Sequence, residues 1–474
     1  MLDPFEEVQM KKRILIITVT LLMLSLLFSP VKAQAPTTFE SSVQIRNLEG
    51  TSGKITLSFI NADGSTAGSA TIDILGSETL SFYRSTLPIA SGFSGSMVIS
   101  SDVRIAGMSN IDGLNISGVP VNYAAFSAFD QGATTAYLPT LFYNNYGYNT
   151  FYSVQNLGTA NADFTVNYSD GTTKTVLALK PGAAAKVDQL NEGFAHTKPV
   201  FAGTLTSNQP VAVNVIENGK VLFAYNGFSS GSTRLSMPLI NENNYGYSTG
   251  VQIMNIGTVP TTITVRYSAT SVGTSCQESR TVTPGSSKTF AQHAFFDPYD
   301  TDPTFTTDCI HGALFVGSGA VITNSAEQPL VATVNQFNPT SVKGGAYGAF
   351  NPAAGGTTVI FPLIMDRVYG YFTSWSLTNV GTTTIPIDGL TCTVTGKDKL
   401  GTPIVRSFKN PKALAQNDGW TELQNNQLGD QFLGAAVCIG PAGSKLVGTA
   451  NELGNGPQYA NVDSLLVYEG IIQP

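Results

Sequence analysis

The chain has 474 residues, of which 42% are apolar, 10% aromatic and 12% charged, with a net charge of −7. At about 100–150 residues per domain this length holds three to five domains. Enough apolar and aromatic residues are present to fill cores, which excludes a disordered chain; helix-period stretches are nearly absent after residue 33, which excludes coiled coils, and no basic cluster beyond the N-terminus speaks for nucleic acid.

In chain order, Lys11-Lys12-Arg13 is followed by an uncharged apolar run from Ile14 to Phe28, then Pro30 and Val31-Lys32-Ala33. A basic region, an apolar region and a small-residue cleavage site make residues 1–33 an export signal, cut after Ala33. Asp3, Glu6 and Glu7 do not suit such a signal, so Met10 is the expected start. The run is short for a membrane span. A secreted or cell-surface location, with no membrane span after cleavage, is therefore expected.

The rest of the chain repeats one unit. Leu138-Pro139 leads to Tyr146-Gly147-Tyr148-Asn149-Thr150 and then Asn156-Leu157-Gly158. Met237-Pro238 leads to Tyr245-Gly246-Tyr247-Ser248-Thr249 and Asn255-Ile256-Gly257; Phe361-Pro362 leads to Tyr369-Gly370-Tyr371-Phe372-Thr373 and Asn379-Val380-Gly381. Proline to asparagine is 17 residues each time. The first copy has only Val43-Gln44-Ile45-Arg46-Asn47-Leu48-Glu49-Gly50. Later landmarks recur: a glycine opening an apolar strand (Gly95, Gly203, Gly312, Gly434), an asparagine closing the next strand (Asn110, Asn214, Asn335, Asn451), and a Tyr-x-x-apolar element (Tyr123/Phe126, Tyr225/Phe228, Tyr347/Phe350, Tyr459/Val462). Apolar residues alternate with Ser, Gln and Gly before each Asn-x-Gly, as in a strand with one buried face. Asn-x-Gly is read as a turn needing positive φ. Short strands at about 8–12-residue spacing point to sandwiches.

The Asn-x-Gly-Thr strand end followed by alternating Thr/Val strands resembles the immunoglobulin-like repeats of bacterial cell-surface proteins. The resemblance covers residues 34–474 and implies an all-β chain of four tandem Ig-like β-sandwich domains. It carries over no catalytic residue. The expected divisions are 34–142, 143–241, 242–365 (with an inserted disulfide loop) and 366–474. They assume that each Leu-Pro strand closes the preceding domain, because sequential strands usually pair locally. In the alternative, the strand belongs to the following domain. The first domain then lacks a strand, the C-terminus carries a spare one, and copies join head to tail by strand donation.

Four cysteines in an exported chain read as two disulfides, most simply Cys276–Cys309 and Cys392–Cys438. Zinc is disfavoured, since no Cys-x-x-Cys occurs and the only histidines are His196, His293 and His311. Gly92-Phe93-Ser94-Gly95-Ser96 misses the last glycine of a nucleophile elbow, and no hydrolase or nucleotide signature is present. No enzyme and no cofactor are expected. Asp297, Asp300 and Asp302 form a weak calcium candidate, with prolines where calcium loops carry glycine. The pairs Tyr146/Tyr148, Tyr245/Tyr247 and Tyr369/Tyr371 are the best candidate surface, as same-face rings at each junction that pack between domains or stack on glycans. The function expected is a secreted structural or adhesive surface protein, self-assembling into a filament or layer, with itself, other surface proteins or glycans as partners. A carbohydrate-binding array is the alternative.

Overall fold

The computed structural model describes residues 35–292, 302–460 and 462–473. The expected export signal, His293, Asp297 and Asp300 lie outside the described residues. The chain is all-β. The first copy comprises β1 (Thr38–Asn47), β2 (Gly53–Asn61), β3 (Thr66–Ile74), β4 (Thr79–Phe82), β5 (Gly95–Ser101), β6 (Ile105–Leu114) and β7 (Pro120–Ser127). The second comprises β8 (Ala133–Phe142), β9 (Asn149–Asn156), β10 (Ala162–Tyr168), β11 (Thr173–Leu179), β12 (Ala184–Asp188), β13 (Val200–Asn218) and β14 (Leu222–Asn226). The third comprises β15 (Ser236–Glu242), β16 (Ser248–Asn255), β17 (Thr261–Val272), β18 (Cys276–Val282), β19 (Ser287–Phe290), β20 (Thr306–Thr307), β21 (Phe315–Asn324), β22 (Leu330–Asn338) and β23 (Lys343–Gly348). The fourth comprises β24 (Thr358–Val368), β25 (Tyr371–Asn379), β26 (Thr391–Lys397), β27 (Pro403–Lys409), β28 (Gly419–Gln424), β29 (Phe432–Ile439), β30 (Leu446–Gly454), β31 (Leu465–Glu469) and β32 (Ile471–Gln473).

The copies share one antiparallel pattern. One sheet runs β4-β1-β6-β7 in the first copy and β19-β16-β22-β23 in the third; the facing sheet runs β3-β2-β5 and β15-β21-β17-β18-β20. In the second copy the long β13 serves both sheets, and in the fourth the hairpin β24–β25 joins them. Inward residues from both sheets fill one core per copy, for example Tyr152, Val154, Phe164, Val166 and Leu205.

Each Asn-x-Gly asparagine is a buried hub. Asn156 Nδ2 donates to the carbonyls of Ala160 and Leu179, and its Oδ1 accepts from Gly158 N. Asn47, Asn255 and Asn379 make the equivalent three bonds, those to the N–H two residues on and the carbonyl four residues on at the same offsets, with Glu49 in the glycine position of the first copy. The side chain satisfies backbone groups that the turn would otherwise bury unpaired. The expected positive φ is absent: Gly158, Gly257 and Gly381 all keep ordinary φ. At Gly158 and Gly257 a Cβ would strike the side chains of Gln209 and Gln328, so close packing selects glycine there.

The Leu-Pro strand pairs forward, against the divisions expected. β8 pairs β13, β15 pairs β21 and β24 pairs β29, each within the copy that follows the strand. The copies therefore begin near β8, β15 and β24 instead of after them. The first copy has no such strand among the described residues, and β5 ends its sheet. The other half of the alternative does not hold. β31 pairs β30 and β32 pairs β24 inside the fourth copy, so among the described residues no spare strand is left to donate.

The registers correct the later landmarks too. Tyr225, Tyr347 and Tyr468 occupy one position, and Phe126 is its counterpart in the first copy. Their hydroxyls donate to the carbonyl following each Leu-Pro proline: Thr140 (2.6 Å), Leu239 (2.7 Å) and Leu363 (2.5 Å). Tyr123 and Tyr459 lie elsewhere. Asn110, Asn335 and Asn451 are equivalent, with Ile216 in the second copy in place of Asn214. Gly312 lies in the turn before β21.

The copies are not strung end to end. β7, β14, β23 and β31 pack on one another cyclically, so the first copy meets the fourth. Ile111, Ile216 and Leu222 join copies one and two; Val221, Phe223 and Ala346 join two and three. Leu465 and Val467 enter the third core, and Met108 and Ala125 enter the fourth. Equivalent residues make each contact. Asn335 Nδ2 donates to Glu217 Oε2 at 2.6 Å, and the same two positions one copy on, Asn451 and Gln336, bond at 3.0 Å. Between copies one and two those positions are both isoleucine, Ile216 and Ile111, and pair apolar with apolar. Asp463 ties the four strands together. Its carboxylate accepts from Leu222 N and Gly344 N, both at 2.8 Å, and its own N–H donates to Val121 O.

Candidate functional site

Tyr-Gly-Tyr forms the tip of a hairpin that carries the chain from one sheet to the other. Asn145 and Tyr148 exchange backbone hydrogen bonds at 3.0 and 2.9 Å around Tyr146 and Gly147, whose φ values are 50° and 87°. Positive φ at both central residues is the primed turn that fits strand twist. Tyr245-Gly246 (49°, 85°) and Tyr369-Gly370 (49°, 88°) repeat it. Tyrosine pays strain in that conformation, which the flanking contacts must hold. The motif's threonine supplies part of that hold: the hydroxyls of Thr150, Thr249 and Thr373 accept from the backbone N–H of Phe142, Asn241 and Met365. The turn carbonyls are bonded too, Tyr245 O by Asn338 Nδ2 (2.8 Å) and Tyr369 O by the Tyr459 hydroxyl (2.9 Å).

The two tyrosines of each pair do not share a face. Tyr146, Tyr245 and Tyr369 are 85%, 94% and 81% exposed. Tyr148, Tyr247 and Tyr371 turn inward and are half-buried. Tyr148 stacks on Phe223 at 5.8 Å between ring centroids, and Tyr371 meets Tyr459 at 4.9 Å. Burial raises the pKa of all three inner phenols, so they stay neutral at every physiological pH. The inner rings anchor and the outer rings are displayed.

Elsewhere, polar clusters bond within the fold. His196 Nδ1 lies 3.0 Å from Asp170 Oδ2 and is enclosed by Tyr143, Tyr168, Phe194 and Phe201; burial lowers its pKa. Tyr168 donates to Glu192 (2.7 Å) and bonds Tyr152 (2.6 Å). Asp302 Oδ2 lies 3.3 Å from Lys288 Nζ and 3.7 Å from Arg280 Nη1, so cations of the chain already face it. Cys276–Cys309 and Cys392–Cys438 are both disulfides, each within one copy as expected; the second joins directly opposite residues of β26 and β29. Two clefts, about 200 and about 240 Å³, are smaller than ordinary small-molecule sites. No helix among the described residues is long and apolar enough to cross a membrane. No family model matches the chain, and no curated protein matches it.

Proposed function

We propose that this chain is an exported surface protein of structural or adhesive type. In this reading four immunoglobulin-like sandwiches close into a ring that displays three tyrosines on one face. The observation that carries it is the contrast within each pair: one ring locked inside, its neighbour held out at a rigid turn. Exposed tyrosines on a fixed scaffold give contact area at little entropic cost. Three weak contacts on one face bind a repetitive surface far more tightly than one. Two disulfides suit an oxidising compartment. A glycan surface is the alternative partner, since the same rings stack on sugars.

The test is retention of residues 35–474 on bacterial surfaces and on cell-wall polysaccharide, with light scattering of the same samples. The triple variant Tyr146→Ala/Tyr245→Ala/Tyr369→Ala keeps its mass and melting temperature and loses retention at least tenfold. Equal retention by the triple variant overturns the reading. Loss on polysaccharide alone selects the glycan partner.

A further inference from the structure

The first copy is built like the others except at one edge. In copies two to four a Leu-Pro strand adds to the sheet beside β13, β21 and β29; the matching edge, β5, has no partner among the described residues. The core behind it is correspondingly uncovered. Phe93 lies over Gly95 as Phe315 lies over Gly317 and Phe432 over Gly434. Phe315 and Phe432 are 1% and 0% exposed, whereas Phe93, Met97 and Ile99 are only half-buried. Exposed edges are normally protected by charge, proline or a bulge. The β5 sequence Gly-Ser-Met-Val-Ile-Ser-Ser has no charge and no proline, and its pairing with β2 has no bulge along Gly95–Ser101.

The three filled slots define what fits. Leu138 and Leu141, Met237 and Ile240, and Phe361 and Ile364 all point into their cores and are at most 1% exposed. A bulge between the two positions lets residues three apart share a face, and the proline without an N–H sits within it. The slot therefore takes an extended strand of the pattern apolar-Pro-x-apolar. The chain's own N-terminal sequence matches in spacing only: Pro30 precedes Asn47 by 17 residues, but Ser29 and Lys32 stand at the two inward positions. Burying Lys32 there is costly. Nor do the other Leu-Pro strands reach it, since each is held in its own copy and locked by a tyrosine hydroxyl. At that lock position the first copy has Phe126, which cannot form the bond.

We propose that the free edge of β5 accepts a β-strand from another polypeptide carrying an uncharged apolar-Pro-x-apolar segment. The continuity is with the interface already formed three times in this chain, by strand addition. It is independent of the tyrosine face.

The experiment titrates the full chain and residues 35–474 with a labelled peptide of sequence ATTAYLPTLF, residues 133–142, and maps hydrogen exchange. Saturable one-to-one binding is expected to both chains, with new protection over residues 95–101. A peptide with Asp at the positions of Leu138 and Leu141 is expected to bind at least tenfold more weakly. Equal binding of both peptides, no binding, or protection that maps to β13 overturns the proposal. So does binding by residues 35–474 but not by the full chain, which would make the N-terminal segment the occupant.

Discussion

Asp463→Asn tests whether the four copies close into a ring. In the native protein both carboxylate oxygens accept backbone N–H groups from other copies, Leu222 at one oxygen and Gly344 at the other. The amide keeps one acceptor and turns an NH₂ donor against the second N–H. One buried donor is left unsatisfied, at about 1–3 kcal/mol. A loss of about 1–3 kcal/mol follows, with no cavity made. Asp463 is fully buried, so little solvent screening reduces the effect. Denaturant unfolding of residues 35–474 measures it, and X-ray scattering on the same sample reports whether the radius grows as the apolar contacts between copies open. A stability within 0.5 kcal/mol of wild type, together with an unchanged radius, refutes the role given to this residue.

Burial pushes Glu217 and Glu452 up to about 8. Between about pH 4.5 and 8 the folded chain holds protons the unfolded chain has released. Stability is thus full below about pH 4.5 and falls as pH rises to 8. At about 1.4 kcal/mol per pKa unit the two groups together cost several kcal/mol. The melting temperature should therefore be higher at pH 5 than at pH 8.5, and Glu217→Gln/Glu452→Gln should flatten the difference. Tyr347→Phe removes a buried hydroxyl bond and should lower stability by about 1–2 kcal/mol in denaturant titration. Phe126→Tyr should bring no gain, because among the described residues no Leu-Pro strand faces it. Asn255→Ala leaves two carbonyls and one N–H without partners and should cost about 3 kcal/mol or more in the same assay. Reduction of Cys392–Cys438, which closes a loop of 46 residues, should lower the melting point, by at most about 4 kcal/mol of stability.

Local chemistry was legible in the residues themselves. Period-2 alternation marked β9, β16 and β25, and cysteine position indicated both disulfides. Repeat spacing marked equivalent strands wherever the motif was long, and misled where it was short. Tyr459 resembled Tyr347 in its neighbours, but β31 pairing shows Tyr468 in that place. A motif of two residues carries too little information to set register; backbone pairing sets it.

The sequence by itself determined the all-β class and the repeated strand pattern, because these follow from alternation and spacing within about ten positions. Only the tertiary structure decided which sheet each Leu-Pro strand joins and that the first copy meets the fourth. Those contacts join residues far apart in the chain, such as Ser127 and Glu469, and no local pattern encodes them. The strand faces that read as solvent-facing show the reason. Gln44, Gln252 and Ser376 are polar and buried. Gln252 bonds Ser287 and Thr289, and Ser376 bonds Thr421, across their sheets. A polar, uncharged surface looks the same in sequence whether it faces water or another copy. Hydrogen-bond partners supplied by the fold settle the difference.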